Sequence, residues 1–455
     1  MKIKNILAGF CFVISLVLFQ GCEKYLAVKS DGKLLNPKTV ADLQGILDDA
    51  TQMNMGRTPS YGEASSDDIY LPANLIDGGS EIARNIYSWR KFEYRYPNEW
   101  STAYIPIYNA NLCIEGIENV ERNGTNALAW DNVKGSALFF RSFYFFLLTS
   151  QYALGYDNAT ADSDMGIVLR LSSDFNTSSK RSSVRACLTQ ALNDARDAAA
   201  LLPNEAVVKF RPSRPAAFAQ LARIYLYMGD YENAMRYADE CLKIKSTLMD
   251  YNGDSDVLGI DLTVPFRRYN KEDVFHAEMY AGFSLHVPNI ARIDTALYAS
   301  YHADDLRKRA FFRMNGVLQQ FKGNYTGTNL LYSGIAVDEV LLVRAECRAK
   351  TGNVTGSMAD LNSLLIKRWK NTSTYVPRSA QNQTEALQLI RSERRKELLM
   401  RGLRWSDLKR LNKDGASIRL QRVLSGTRIY LEPNAAFYAL PLPVDIIELT
   451  GIPQN

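Results

Sequence analysis

The chain has 455 residues, 46% of them hydrophobic and 23% charged. These proportions exclude a disordered, collagen-like or disulfide-knotted chain and describe a folded protein of one large or several average domains. Lys and Arg number 54 against 49 Asp and Glu; a net charge of +5 is weak for a nucleic-acid binder, and 3 histidines leave little room for a histidine-rich metal site.

Met1-Lys2-Ile3-Lys4 is a basic start, followed by an apolar run from Ile6 to Phe19. That run is shorter than the about 20 residues a membrane-spanning helix needs, so residues 1–21 read as an export signal. Gly21-Cys22 fits lipoprotein processing, in which cleavage leaves an N-terminal cysteine that carries acyl chains. Phe19 and Gln20 depart from the usual leucine and small residue, and ordinary signal cleavage is the alternative. Two or more acyl chains on Cys22 would tether the mature chain to a membrane. Loss of Lys2 and Lys4 lowers its charge to +3. Cys113, Cys187, Cys241 and Cys347 lie in helical-looking stretches without a CxxC pair and read as buried free thiols rather than disulfides.

Residues 51–99 are rich in Gly, Pro, Ser, Tyr and Asp and read as an irregular insertion. Period-3.6 apolar stripes then predict helices over 135–150 and 183–202. In 218–241, Phe218, Leu221, Ala222, Tyr225, Gly229, Tyr231, Ala234 and Ala238 fall at tetratricopeptide spacing, with Gly229-Asp230 as the turn. Residues 246–335 form a second irregular stretch, with strand-like pieces such as 273–277. A weaker repeat covers 338–366, with Ala345, Gly352, Ser357 and Leu361 in equivalent places. A fourth helical pair is expected over 385–411, and residues 412–455 read as loops. The expected architecture is mostly α. A single domain over 22–455 carries a tetratricopeptide-like scaffold, about 100–245 and 336–411, with ligand-side insertions at about 51–99, 246–335 and 412–455.

Several blocks run in a recognisable order. They are Cys22 to Leu26; Trp100, Tyr104, Ile107, Asn109 and Asn111; Ala137, Arg141, Tyr144, Leu148 and Gly155; Asn193 to Pro203; Arg214 to Cys241; Val340 to Glu346; Glu393 to Leu398 with Gly402 to Arg410; and Ala439 to Ile446 with Gln454-Asn455. In this order they resemble the SusD/RagB outer-membrane lipoproteins of glycan-harvesting bacteria, nearly end to end. The resemblance implies a SusD-like α-α superhelix, anchored through Cys22 on the outer face of the outer membrane. It also implies a partner SusC-like TonB-dependent transporter and a glycan or, in some relatives, a peptide ligand, with no cofactor and no catalysis. Met400 departs from the acidic residue that often stands there. A tetratricopeptide groove that binds a protein is the rival reading.

The residues themselves give further expectations. Glu393, Arg394, Glu397, Arg404, Trp405 and Asp407 have helical spacing and read as a structural ionic network, which Glu346 joins by its place in the family pattern. No GxSxG elbow or HExxH appears, and no pair among the carboxylates stands out as catalytic. His276 reads as a half-buried core residue, and Asp67-Asp68 and Asp304-Asp305 as exposed turn carboxylates rather than calcium ligands. Tyrosine is abundant, at 25 residues, and concentrates in the insertions. A tyrosine ring can stack on a sugar while its hydroxyl meets the sugar's own. Tyr70 and Trp89 are the expected stacking rings, with Asn74 and Arg90 as polar neighbours. Tyr61, Tyr87, Phe92, Tyr94, Tyr96, Tyr251, Tyr301 and Tyr325 are further aromatic residues of these stretches, mostly expected to fill core.

Overall fold

The computed structural model describes residues 37–282 and 285–455. The signal segment and Cys22 therefore lie outside the described residues, as does Phe283.

Helix α1 (Val40–Asp48) opens a run of helices that pack neighbour on neighbour. Helix α2 (Glu99–Glu118) starts at a capping box: Asn98 accepts the Ser101 N–H at 2.9 Å, and the Ser101 hydroxyl side accepts the Asn98 N–H. Helix α3 (Ala127–Tyr152) is buried on every face from Gly135 onward, which makes it the central rod of the core. Helix α4 (Val184–Leu201) is capped by Ser183 and stops at Leu202-Pro203.

Helix α5 (Arg214–Met228) ends on Gly229 at φ +76°, a left-handed cap that glycine adopts without strain. Asp230 then caps helix α6 (Tyr231–Ile244) by accepting the Asn233 N–H at 3.1 Å. Ala234 and Ala238 are fully buried in this pair, where their small side chains let the helices approach. Helices α7 (Val337–Lys350) and α8 (Val354–Leu365) repeat the arrangement, with Gly352 at φ +86° and Asn353 as the cap. Helix α9 (Gln383–Glu397) lies on α7 and α8. Helix α10 (Arg404–Lys413) differs from the expected fourth hairpin, because it packs on α3 and α5. The chain is mostly helical, with its repeat helices stacked in sequence as a solenoid.

The strands form small antiparallel pairs that tie distant segments together. Strand β1 (Ile69–Tyr70) pairs with β5 (Arg292–Ile293), placing Tyr70 opposite Arg292. This joins the 51–99 stretch to the 246–335 stretch. Strand β2 (Met165–Val168) pairs with β3 (Arg181–Ser183), and β4 (Asp273–Phe275) pairs with β8 (Ile335–Ala336), which leads into α7. Strands β6 (Phe312–Asn315) and β7 (Leu318–Phe321) form a hairpin.

Residues 412–455 are more ordered than their sequence indicates. They hold the hairpin of β9 (Leu420–Leu424) and β10 (Thr427–Leu431) and the helix Val444–Thr450. The hairpin turn is Ser425-Gly426, with φ +48° and +80°, a two-residue turn whose twist matches the strands. Residues 51–99 likewise contain short helices at Tyr61–Ser65, Ala73–Asp77 and Glu81–Tyr87. A second apolar cluster lies under the 246–335 stretch, built on Tyr251, Phe266, Phe311, Tyr301 and Tyr325.

Candidate ligand site

The charged string at 393–410 clamps the insertions to the scaffold. Glu346 on α7 accepts from Arg410 at 2.8 Å through both carboxylate oxygens and from Arg391 at 2.8 Å. Asp407 accepts from Arg394 at 2.8 Å and Arg410 at 2.7 Å, which links α9 to α10. Burial raises the Asp407 carboxyl, but these two guanidinium groups hold it well below the carboxylate range.

Glu393 and Glu397, one turn apart, both receive Arg307, at 2.6 and 2.9 Å. Glu397 also accepts from Arg368 at 2.8 Å, and Arg368 reaches Glu272 at 2.8 Å. Glu393 also pairs with Lys396 within the string, but Arg307 and Arg368 come from outside it and fasten the 246–335 stretch. Trp405 is fully buried and stacks on Tyr438 at 4.6 Å between ring centres.

Asp67 and Asp68 are not exposed turn carboxylates. Arg404 donates to Asp67 at 2.7 and 2.9 Å, and Arg395 to Asp68 at 2.8 Å. Asp68 and Asp305 are buried, and Asp305 pairs with Arg307 at 2.7 Å. A buried carboxylate needs such partners to remain charged.

Beside this clamp lies a hollow of about 230 Å³. Tyr70, Asp294, Arg395, Gln421, Arg422 and Val423 line it. Tyr70 is 39% exposed, and its strand partner is Arg292. Asp294 is fixed by capping the helix Thr295–Ala299 through the Leu297 N–H at 2.8 Å. Arg422 is buried and donates to the carbonyls of Tyr87, Ala64 and Ser66. Burial pushes its guanidinium down to about 10. Its plane lies over the Tyr87 ring at 3.8 Å and the Trp89 ring at 4.7 Å. An open ring beside a carboxamide, a carboxylate and an arginine can stack on a flat face and hydrogen-bond groups around it.

Comparison with known families assigns the chain. A family model described as starch-binding and associating with the outer membrane matches residues 24–226, and the model of the SusD family matches residues 294–436. The chain belongs to the SusD/RagB family. Solved structures with the same fold include a SusD superfamily protein from Bacteroides thetaiotaomicron, at 21% identity and a TM-score of 0.73, covering 92% of this chain and 99% of that one. A SusD-like carbohydrate binding protein from Bacteroides vulgatus has 19% identity and a TM-score of 0.65, over 91% of this chain and 97% of its own. One from Bacteroides fragilis has 15% identity and a TM-score of 0.67, over 91% and 99%. None of the curated proteins compared with the chain matches it.

In this SusD-family chain, Tyr70 is the one residue among the four expected ligand residues that lines the hollow. Trp89 is only 9% exposed: its indole N–H donates to the Ser65 carbonyl at 2.9 Å and Arg422 covers its ring. It offers no open face, and its place beside Tyr70 in sequence concealed this. Asn74 and Arg90 are exposed, away from the hollow's lining. Tyr61, Phe92 and Tyr94 pack edge to face as core, while Tyr96 stands 74% exposed. Arg395 belonged to the charged string and carried a signal for pairing, not for a ligand. Asp294, Gln421 and Arg422 carried none.

His276 is fully buried rather than half-buried. Its Nδ1 contacts Asp273 at 2.8 Å and its Nε2 contacts Glu278 at 3.0 Å. Burial opposes the charge, but the two carboxylates raise its imidazole to about 9. Both ring nitrogens therefore donate near neutral pH. The four described cysteines are free and buried. Among the described residues, no helix is long and apolar enough to cross a membrane.

Proposed function

We propose that this SusD-family protein captures an oligosaccharide or polysaccharide in the Tyr70 hollow and delivers it to a TonB-dependent transporter in the outer membrane, without catalysing a reaction on it. The protein is held on the cell surface by acyl chains on Cys22, and residues 22–455 act as one domain. The observation that carries this reading is the β1–β5 pairing, which sets an exposed tyrosine on a rigid edge beside Asp294, Arg395 and Gln421. Two solved structures of the same fold, described as SusD-like carbohydrate binding proteins, support it. Two short strands fix the ring, so a sugar loses little affinity to ordering the site.

A glycan and peptide array probed with the mature protein tests the function. Saturable binding to a glycan class, weakened by Tyr70→Ala and by Gln421→Ala, is expected. Binding confined to peptides, or glycan binding indifferent to both changes, would overturn the assignment. Cys22→Ser should move the protein from the membrane fraction to the soluble fraction. Native protein recovered from outer membranes should bring a large TonB-dependent barrel with it.

A further inference from the structure

A second hollow, of about 340 Å³, opens at the start of α5 and shares no lining residue with the Tyr70 site. It is lined by Asn204, Lys209, Ser213, Lys245, Thr247 and Val274, among others. Three independent features give it one electrostatic character.

The first is a pair of cations. Lys209 and Lys245 both face this hollow, and neither pairs with a carboxylate among the described residues. Burial and then the neighbouring Lys209 ammonium hold Lys245 below the usual lysine range, although Asp273 and Glu205 act on it in the opposite sense. Nearby Asp273 is committed to His276 at 2.8 Å and to the Tyr332 hydroxyl at 2.9 Å. Glu205 also lines the hollow, but it is exposed to solvent, which screens its charge. Like charges brought together in a partly dry hollow raise its free energy until a counter-charge enters.

The second feature is an uncapped helix. Helix α5 runs 15 residues, and Ser213 at its N-cap makes no side-chain capping bond. The Arg214 N–H donates to the Pro203 carbonyl at 2.7 Å and Pro215 has no N–H, so the Ala216 N–H is the first-turn amide that an N-cap side chain would otherwise meet.

The third is the Ser213 side chain itself. The residue is 4% exposed, it lines the hollow, and no capping bond holds its hydroxyl. Such a hydroxyl is free to turn and can donate to an anion seated in front of it. Asn204 contributes in the same sense: its carboxamide oxygen accepts from Arg214 at 3.1 Å, which leaves the amide N–H groups to serve as donors.

We propose that this hollow binds an oxyanion, a phosphate, a sulfate or the carboxylate of a sugar acid, held by Lys209, Lys245 and the Ser213 hydroxyl at the N-terminus of α5. Two lysines supply charge without fixed direction, and the serine and helix end supply the orientation. The volume admits a group well beyond a single water, which occupies about 30 Å³ in the liquid. A sugar acid would make this a second contact for an acidic glycan; a free phosphate or sulfate would make it a separate anion site.

The test is calorimetric titration of the mature protein at low ionic strength with sodium phosphate, sodium sulfate and sodium glucuronate in separate arms. Saturable one-site binding is expected in at least one arm, and the arm that responds identifies the source. Lys245→Met and Ser213→Ala should each weaken it about tenfold or more. Lys243→Ala, which removes an exposed lysine paired with Glu240, should leave it unchanged, as should Tyr70→Ala. No binding in any arm at millimolar anion would overturn the proposal. So would equal binding in the Lys209→Met/Lys245→Met double variant. If circular dichroism shows that the double variant is unfolded, Ser213→Ala decides, because it removes one hydroxyl and leaves both charges.

Discussion

Arg307 and Arg309 lie two residues apart in one short helix, and their surroundings predict opposite outcomes for the same substitution. Arg307 is 1% exposed and holds Asp305, Glu393 and Glu397, all buried. Arg307→Met keeps much of the volume but leaves three buried carboxylates short of a partner. Breaking a buried pair from one side destabilises by about 3–5 kcal/mol, because the stranded charge remains out of water. Arg309 pairs with Asp261, both more than half exposed, and such a pair contributes only about 0–1 kcal/mol. Unfolding entropy near 60 °C is roughly 2 cal/mol/K per residue, or about 0.9 kcal/mol/K for a chain of this size. Arg307→Met should therefore lower the melting temperature by about 3–6 °C, and Arg309→Met by about 1 °C or less. Scanning calorimetry of both variants beside the parent measures this. Hydrogen exchange should rise across residues 295–321 in the first variant and stay level in the second. Equal melting shifts would refute the view that Arg307 fastens this insertion.

Three further outcomes follow from other parts of the molecule. The folded chain holds a proton on His276 to about pH 9, against 6.5 for the free group, so the stability it adds is complete below pH 6.5 and lost as pH rises to 9. That contribution is about 3 kcal/mol, and urea midpoints at the two ends of this window should converge in His276→Gln, whereas parallel shifts would contradict the charge state. Tyr70→Ala should weaken the glycan identified on the array about tenfold through loss of ring contact, while Trp89→Phe should lower the melting temperature and leave affinity unchanged. A Cβ on Gly334 would overlap the Phe275 carbonyl, so Gly334→Ala should disturb the β4–β8 pairing and destabilise by about 1–3 kcal/mol, whereas Gly124→Ala, with open space around it, should be neutral by thermal melting.

The scaffold was legible because its signals are local. Apolar periodicity, Gly229-Asp230 and the buried alanines of α5 and α6 lie within one stretch of chain, and the helices formed where that stretch indicated. The charged string was legible as an ionic network, yet its partners were not, since Arg307 and Arg368 lie far from Glu397 in sequence. The site was harder still. Tyr70 showed itself as an aromatic residue in polar surroundings, but exposure is a tertiary property, and the same criterion selected Trp89, which Arg422 covers from 333 positions away. Gln421 and Val423 sit on a hairpin in a stretch that read as loop, so no pattern marked them.

The β1–β5 pairing also fixes when the hollow can come into being. Tyr70 must wait for Arg292 before its strand has a partner, and the wall made by Gln421 and Val423 arrives only near the end of the chain. A polypeptide growing from its N-terminus can stack α2 to α6 early, through contacts between neighbours, while the Tyr70 ring remains on a segment without its mate. Truncation before residue 292 should thus yield helices without this hollow, which forms last, in a single late closure that joins segments more than 300 residues apart.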